Sequence, residues 1–495
     1  MIMDNKRLMK VAEYVAAQCI GCSDSPEILS YKAFEVMKNA VNNKENPYKT
    51  LNDFLGTHVS EEILKNMYGM KNMENNRITC VIGAGAALGF RLPSNVILPS
   101  TGNITAKVRK TYRNYLTGKD VGIVDEMYQH LMSTLPAGIY NSQPYVHFEM
   151  LFHVLEMYGS YGRTWNDKCH NPNIYPIFAP FVSPTMQYDV NEINHIMREF
   201  IMRIFKIVKG YDDYFASDGG KENWYRDFFR NTPFMLDVFN FNYDTTIEQS
   251  LGEGNYEDGF ELITDNDYSE FLPQKLFANE RNLSTINHLH GCIRYFYERE
   301  TNRGLYRYGH NDLFKYKDSD TVLDMMIGRS QSLETNQTNE EIFAGPIITG
   351  LRKTDKLNCI PYDYYHANLC KSLIENRRLL VTGYSFGDLY MNQQLERIRL
   401  IHGEDCRIVL IDYWNQKDVE QYGVSKFFEY TLSPKIAQFL MMMCEESWAA
   451  NLPKRLSYKS VGEPMYSDNG CVMVLACGLH DAVTKYSNDI YTFLN

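Results

Sequence analysis

The sequence predicts an α/β fold: a parallel sheet with a helical module inserted into it and a helical region ahead of it. Three observations predict this. Short apolar runs recur along the chain, and each stops at Gly, Asn, His or Asp. Between residues 104 and 230 the apolar spacing becomes that of helices. The 495 residues, 44% hydrophobic and 22% charged, have a globular composition with room for roughly two to four domains.

Taken in order, residues 1–75 read as helical. Ser60 is placed to cap a helix whose first turn carries Glu61 and Glu62, with Ile63, Leu64 and Met67 behind them. Arg77–Ile82 is a short β-branched run that ends in Gly83-Ala84-Gly85, a strand entering a glycine turn. Helices are expected over 120–134, 145–158 and 189–209. The last carries Ile193, Ile196, Met197, Phe200, Ile204 and Ile207 at helical spacing. Strand-like runs resume at 236–241, 285–289, Arg378–Thr382 and Arg407–Ile411. The last two are near-continuously apolar, as parallel strands covered on both faces must be; the first two are more mixed. The polar segment 303–340 reads as a long loop or insertion, with Asp318, Asp320 and Asp324 as solvated surface. Beyond it, Ser433 and Pro434 mark a helix start, and 471–476 is a final strand-like run. The implied organisation is 1–75, a helical region; 76–415, a sheet domain containing the 104–230 insertion; and 416–495, an α/β extension.

Charge and cysteine usage exclude several classes. Fifty Lys and Arg against 61 Asp and Glu leave a net charge of −11, which disfavours direct nucleic-acid binding. No apolar run reaches the roughly 20 residues that a bilayer crossing needs. The N-terminus resembles an amphipathic helix more than a signal peptide. Eleven scattered cysteines suit a reducing compartment. Cys19 and Cys22 form a lone CxxC, whereas a four-ligand zinc site of the paired-CxxC type needs two such pairs, so no metal is expected. The expectation is a soluble, cytoplasmic protein without membrane contact.

Open parallel sheets bind ligands beyond the carboxyl ends of their strands, and five polar groups fall there. Gly83, Ala84 and Gly85 form a turn that suits either diphosphate contact or tight packing, and Arg91 follows closely enough to meet a diphosphate. Asn242 and Asp244 place a carboxamide and a carboxylate two residues apart, able to grip a ribose or to cap the helix expected at 245–250. His288 and His290 alternate toward one side of a strand, and either can exchange protons near neutrality. Gly383, Ser385 and Gly387 match the GxSxG pattern of a hydrolase elbow. They equally suit a cofactor turn in which Ser385 meets a phosphate or ribose and Asp388 holds a ribose or caps a helix. Asp412 ends its strand where an acid meets a ribose diol in dinucleotide folds, or is simply a solvent-facing turn residue.

In this order the set resembles the sirtuin-like NAD-binding family, over about 78–414. The residues that carry the resemblance are Gly83-Ala84-Gly85, Asn242-Tyr243-Asp244, His290-Gly291, Gly383-Tyr384-Ser385 and Asp412. The resemblance implies a Rossmann-like parallel sheet of the sirtuin type. It casts Asn242, Asp244 and His290 as catalytic, and Gly83, Ala84, Gly85, Gly383, Ser385 and Asp412 as NAD-binding; Arg91 and Asp388 join the NAD-binding set by their positions beside those turns. Two departures stand out. Ala86 and Ala87 occupy the place of the family's usual Ser or Thr, and no CxxC lies between His290 and Gly383, where deacylating members carry zinc-binding pairs. The missing zinc pairs, together with the lack of an obvious channel sequence for an acyl-lysine peptide, point to the bacterial anti-phage branch, whose members resemble NAD hydrolases that drain NAD+ and abort the infection. That branch implies a homo-oligomer or a partner such as a HerA-like ATPase or another defence-operon protein. An NAD-dependent deacylase and a non-catalytic NAD or ADP-ribose sensor are the alternatives.

Overall fold

A computed structural model describes residues 26–43, 76–114, 118–135, 146–165, 190–218, 223–262, 267–278, 283–296, 313–328, 333–335, 341–343, 346–350 and 360–495. The cap expected at Ser60 and the Cys19/Cys22 pair fall outside these residues. The chain divides into two compact units, 1–76 and 77–495. In the first, Pro26–Asn42 is a helix.

The second unit is built on eight strands: β1 (Arg77–Ile82), β2 (Met235–Asn240), β3 (Tyr256–Glu257), β4 (Ser284–His288), β5 (Arg378–Thr382), β6 (Arg407–Ile411), β7 (Met465–Tyr466) and β8 (Val472–Leu475). Their order in the sheet is β7-β8-β6-β5-β1-β2-β4-β3. All neighbours run parallel except β7, which is antiparallel to β8. The expected strands β1, β5 and β6 occur with the bounds read from the sequence.

The mixed strands β2 and β4 are nonetheless buried, and a polar network explains how. Asp237, only 7% exposed, accepts from Arg77 Nη1 (2.8 Å), Thr285 Oγ1 (2.9 Å), Ser372 Oγ (3.2 Å) and Asn376 Nδ2 (2.9 Å). Asn287 donates to the Val238 carbonyl at 3.0 Å and accepts from Asn368 at 3.0 Å. Every polar side chain inside these strands thus meets a partner, which is the condition for burying it.

Apolar cores lie on both faces of the sheet. One gathers Leu379, Val381, Leu369, Leu395, Phe439 and Val474; the other gathers Ile78, Val238, Leu380, Phe229 and Val483. The inserted module has a core of its own. Its helices are Ile123–Thr134, Phe148–Trp165 and Val190–Asp218, the last longer than its apolar periodicity predicts. This core extends to Tyr243 and Ile293, beside the sheet's carboxyl edge. Two expectations are corrected here. Within 303–340, Ser319–Gly328 is a helix and Phe314–Tyr316 a strand, because Asp318 accepts from both the amide and hydroxyl of Thr321 and starts the helix. Ser433 precedes Pro434–Met443 but makes no side-chain cap. Among the described residues no helix is long and apolar enough to cross a membrane.

Candidate functional site

The parallel strands end flush. Register pairs Leu475 with Ile411, Ile411 with Thr382, Thr382 with Ile82, Ile82 with Asn240, and Asn240 with His288. The next residues, Asp412, Gly383, Gly83, Phe241 and Leu289, therefore form one row along the carboxyl edge, and Asn242 and His290 stand one residue beyond it. From β6 to β4 this row covers four interstrand spacings, about 19 Å.

At its centre the two glycine turns press together. Gly83 N–H donates to Thr382 O and Gly85 N–H to Gly383 O, both at 2.9 Å. Gly383 has φ +62°, and a Cβ built there would lie 1.9 Å from the Ala86 amide nitrogen. The glycines are thus required by backbone-on-backbone packing. The amides of Gly83, Gly85 and Ala86 are engaged within the protein, while that of Ala84 has no acceptor among the described residues. Ala84–Ala87 is a single 3₁₀ turn. Arg91 lies on the surface.

The Asn242 segment turns on its own side chains. Asn240 Oδ1 accepts from the Asn242 amide at 2.9 Å, and Asn242 is half-buried. Asp244 is 2% exposed; its Oδ1 accepts from the Thr246 hydroxyl (2.5 Å) and amide (3.2 Å), at the start of the helix Thr246–Leu251. Of the two readings of Asp244, the helix cap is the one its Oδ1 makes here. Burial raises its pKa against the Thr246 bonds, and the charge of Glu248 adds to the rise. Asp212, from the inserted module, accepts from the Thr245 amide at 2.6 Å and from its hydroxyl at 2.9 Å. Burial first, then repulsion from Asp244, pushes the Asp212 pKa up to about 7.

The two histidines part company. β4 ends at His288, so the alternation expected to carry both to one side does not extend to His290. His288 is 1% exposed, with Nε2 2.7 Å from Glu248 Oε1. Burial alone would lower its pKa, but Glu248 and Cys292 together outweigh that and raise it well above the usual value. Glu248, His288 and Cys292 hold their potential metal-ligand atoms within 4.8 Å of one another, and the direct bond joins two of them. His290 instead reaches the edge. Its ring packs edge-on against Phe241 (centroids 4.8 Å apart), and its Nε2 lies 3.6 Å from Asp388 Oδ2. Gly291 has φ +100°, and a Cβ there would lie 2.1 Å from Pro346 O, so the residue after His290 is held to glycine by the crossing chain.

Asp388 does two things at once. Its Oδ1 accepts from the amides of Tyr390 (3.0 Å) and Met391 (3.2 Å), capping Leu389–His402, while Oδ2 faces His290. Ser385 is exposed, and among the described residues no histidine or acid bonds to it, so the hydrolase-elbow alternative has no triad. Asp412 is half-buried, with Oδ2 accepting from Trp414 Nε1 at 2.9 Å. Burial raises its pKa.

The sequence reading missed Phe241, Tyr384 and His366. Phe241 stacks on Tyr384 (4.6 Å) under His290, and the Tyr384 hydroxyl donates to Asn392 Oδ1 at 3.0 Å. Their signal was available: each sits within two residues of a strand end already marked as polar. His366 carries no such mark; it lies inside the helix Tyr362–Glu375.

Residues 237–431 match the family model of the SIR2-like domain. The match opens inside β2 and spans Asn242, His290, Gly383, Ser385, Asp388 and Asp412; β1 and its glycine turn precede it. No curated protein matches the chain. The match supports a Sir2-like family, and a SIR2-like domain implies NAD binding and an NAD-using activity.

Proposed function

We propose that the protein hydrolyses NAD+ at the nicotinamide–ribose bond. The observation that carries this reading is the convergence of Asn242, His290 and Asp388 on one sheet edge beside the paired glycine turns, inside a chain that matches the SIR2-like domain. The edge has length for two nucleotides end to end: nicotinamide ribose near His290, diphosphate over Ala84 and Ser385, adenine ribose near Asp412.

In the reaction, water oxygen bonds to the ribose anomeric carbon as the bond to nicotinamide breaks. The bonding pair returns to the ring nitrogen, and nicotinamide leaves neutral. The products are nicotinamide, ADP-ribose and one proton. The barrier lies in the oxocarbenium-like sugar, as in glycoside hydrolysis. Asn242 orients the water or ribose hydroxyls. His290 accepts the proton, and Asp388 Oδ2 stabilises the charge then placed on the ring. Asp244 and Asp212 hold the Asn242 segment from behind.

The biological reading is anti-phage defence by NAD+ depletion. An unregulated NAD hydrolase is lethal to its host, so activity is gated by self-assembly or by a partner, with the helical regions 1–75 and 104–230 and the tail past 415 as the candidate docking elements. Incubating the full chain with NAD+ alone and separating products by chromatography tests the chemistry. Wild type should release nicotinamide without any peptide. His290→Ala should lose at least about a hundredfold in rate with an unchanged melting transition. Full turnover in His290→Ala would refute the assignment, and release that requires an acyl-lysine peptide would move the protein to the deacylases. In infected cells, NAD+ should fall with wild type and hold with His290→Ala.

A further inference from the structure

We infer that His366 is a ligand-contacting residue of this pocket and hydrogen-bonds a hydroxyl of the ribose that carries nicotinamide. The inference rests on the NAD reading above and adds to it a residue that no motif marks.

The helix Tyr362–Glu375 places it there. Ser372 Oγ lies 2.7 Å from Thr79 Oγ1 and donates to Asp237, both early in their strands. Asn368, one turn earlier, donates to Asn287, next to the end of β4. The helix thus climbs toward the carboxyl edge as it is followed back to its start. His366, six residues before Ser372, stands about 9 Å above it. Thr79 lies about 10 Å below the end of β1. His366 is therefore level with the strand ends.

Its surroundings match. His366 feels the charges of both His290 and Asp388, and its ring meets Tyr390 edge-on with centroids 5.6 Å apart. It is 9% exposed, yet among the described residues neither Nδ1 nor Nε2 has a hydrogen-bond partner. A buried imidazole with both nitrogens unbonded is rare in native proteins and points to an absent ligand. Burial first, then His290, lowers its pKa to about 4, so the ring is neutral and offers one donor and one acceptor. A hydroxyl, which both donates and accepts, fits either tautomer; a diphosphate, which calls for donors and positive charge, does not. Proximity to His290 sets the position at the reacting ribose.

The test compares wild type, His366→Phe and His366→Gln, with NAD+ and with analogues lacking the 2′- or the 3′-hydroxyl of the nicotinamide ribose. Phe keeps the ring bulk and removes both nitrogens; Gln keeps a donor and an acceptor and guards against a variant that fails to fold. We expect His366→Phe to lower kcat/KM for NAD+ by about ten- to a hundredfold, with partial recovery in His366→Gln. The penalty should vanish with one of the two deoxy analogues. An unchanged kcat/KM, or an equal penalty with both analogues, would overturn the inference. ADP-ribose binding by calorimetry separates the two readings. If wild type turns over no NAD+, the hydrolase reading falls, and His366 stands only if His366→Phe weakens ADP-ribose binding by a similar factor. Unchanged affinity, or no ADP-ribose binding by wild type, overturns it.

Discussion

Gly383→Ala tests whether the two glycine turns must touch for the site to work. The added methyl would sit 1.9 Å from the Ala86 nitrogen and 2.5 Å from the Gly85 carbonyl carbon. To reach ordinary contact the turns must separate by roughly 1.5 Å. Backbone is on both sides, so no side chain can swing away. The φ of +62° adds about 1–2 kcal/mol of strain for any residue with a Cβ. Overpacking adds a further 1–3 kcal/mol or so. A displacement of this size at a catalytic edge costs about a hundredfold in rate. Gly470 supplies the control, with φ +71° and nothing within 4 Å of its Cβ position, so Gly470→Ala carries positive-φ strain without the clash. Nicotinamide release and urea unfolding are measured on both. We expect Gly383→Ala to lose about 2–5 kcal/mol and most activity, and Gly470→Ala to lose about 1–2 kcal/mol and retain its activity. Equal behaviour of the two variants would refute the packing argument.

Two further outcomes follow from the buried carboxylates. Asp237→Ala should cost about 3–5 kcal/mol in urea unfolding, because it strands the Arg77 guanidinium together with Ser372 and Asn376; Asp237→Asn should cost less. Asp212 binds its proton up to about pH 7 in the folded chain but only to about pH 4 when unfolded. Its contribution therefore lowers stability as pH rises from about 4 to 7 and is constant outside that window. Across this range the slope of unfolding free energy against pH should be more positive in Asp212→Asn than in wild type, with the two proteins converging in slope below about pH 4; an identical pH profile would remove Asp212 as the titrating group.

How far the sequence revealed the molecule depended on how local each cause was. β1, β5 and β6 were legible to the residue because an apolar run flanked by Gly or Asp states both burial and ending. β2 and β4 were harder, since Asp237, Asn240, Asn287 and His288 look like surface residues until Arg77, Ser372, Asn376, Asn368 and Glu248 arrive from distant segments. Gly83 and Gly383 were visible, but the reason for them was not: it is a contact between turns 300 residues apart. His290 and Asn242 could be singled out from the sequence because residue type and strand end coincide there. At Asp244 capping and ribose binding call for the same residue type in the same place, so the sequence left both open. His366 and Asp212 were silent because each sits within a helix, and only the folded chain brings them to the edge.

The order of the sheet also fixes a timetable for synthesis. β1 lies between β2 and β5, yet its anchoring contacts are with residues 160 positions away at Asp237 and 293 positions away at Ser372. At about 5–20 residues per second on the ribosome, the central strand waits roughly fifteen seconds to a minute before its second neighbour exists. Until then Ile78, Cys80, Val81 and Ile82 form an apolar ribbon open along one side or both, a template for mispairing. Soluble yield should therefore depend on growth temperature and chaperone supply far more than on the stability of the finished fold.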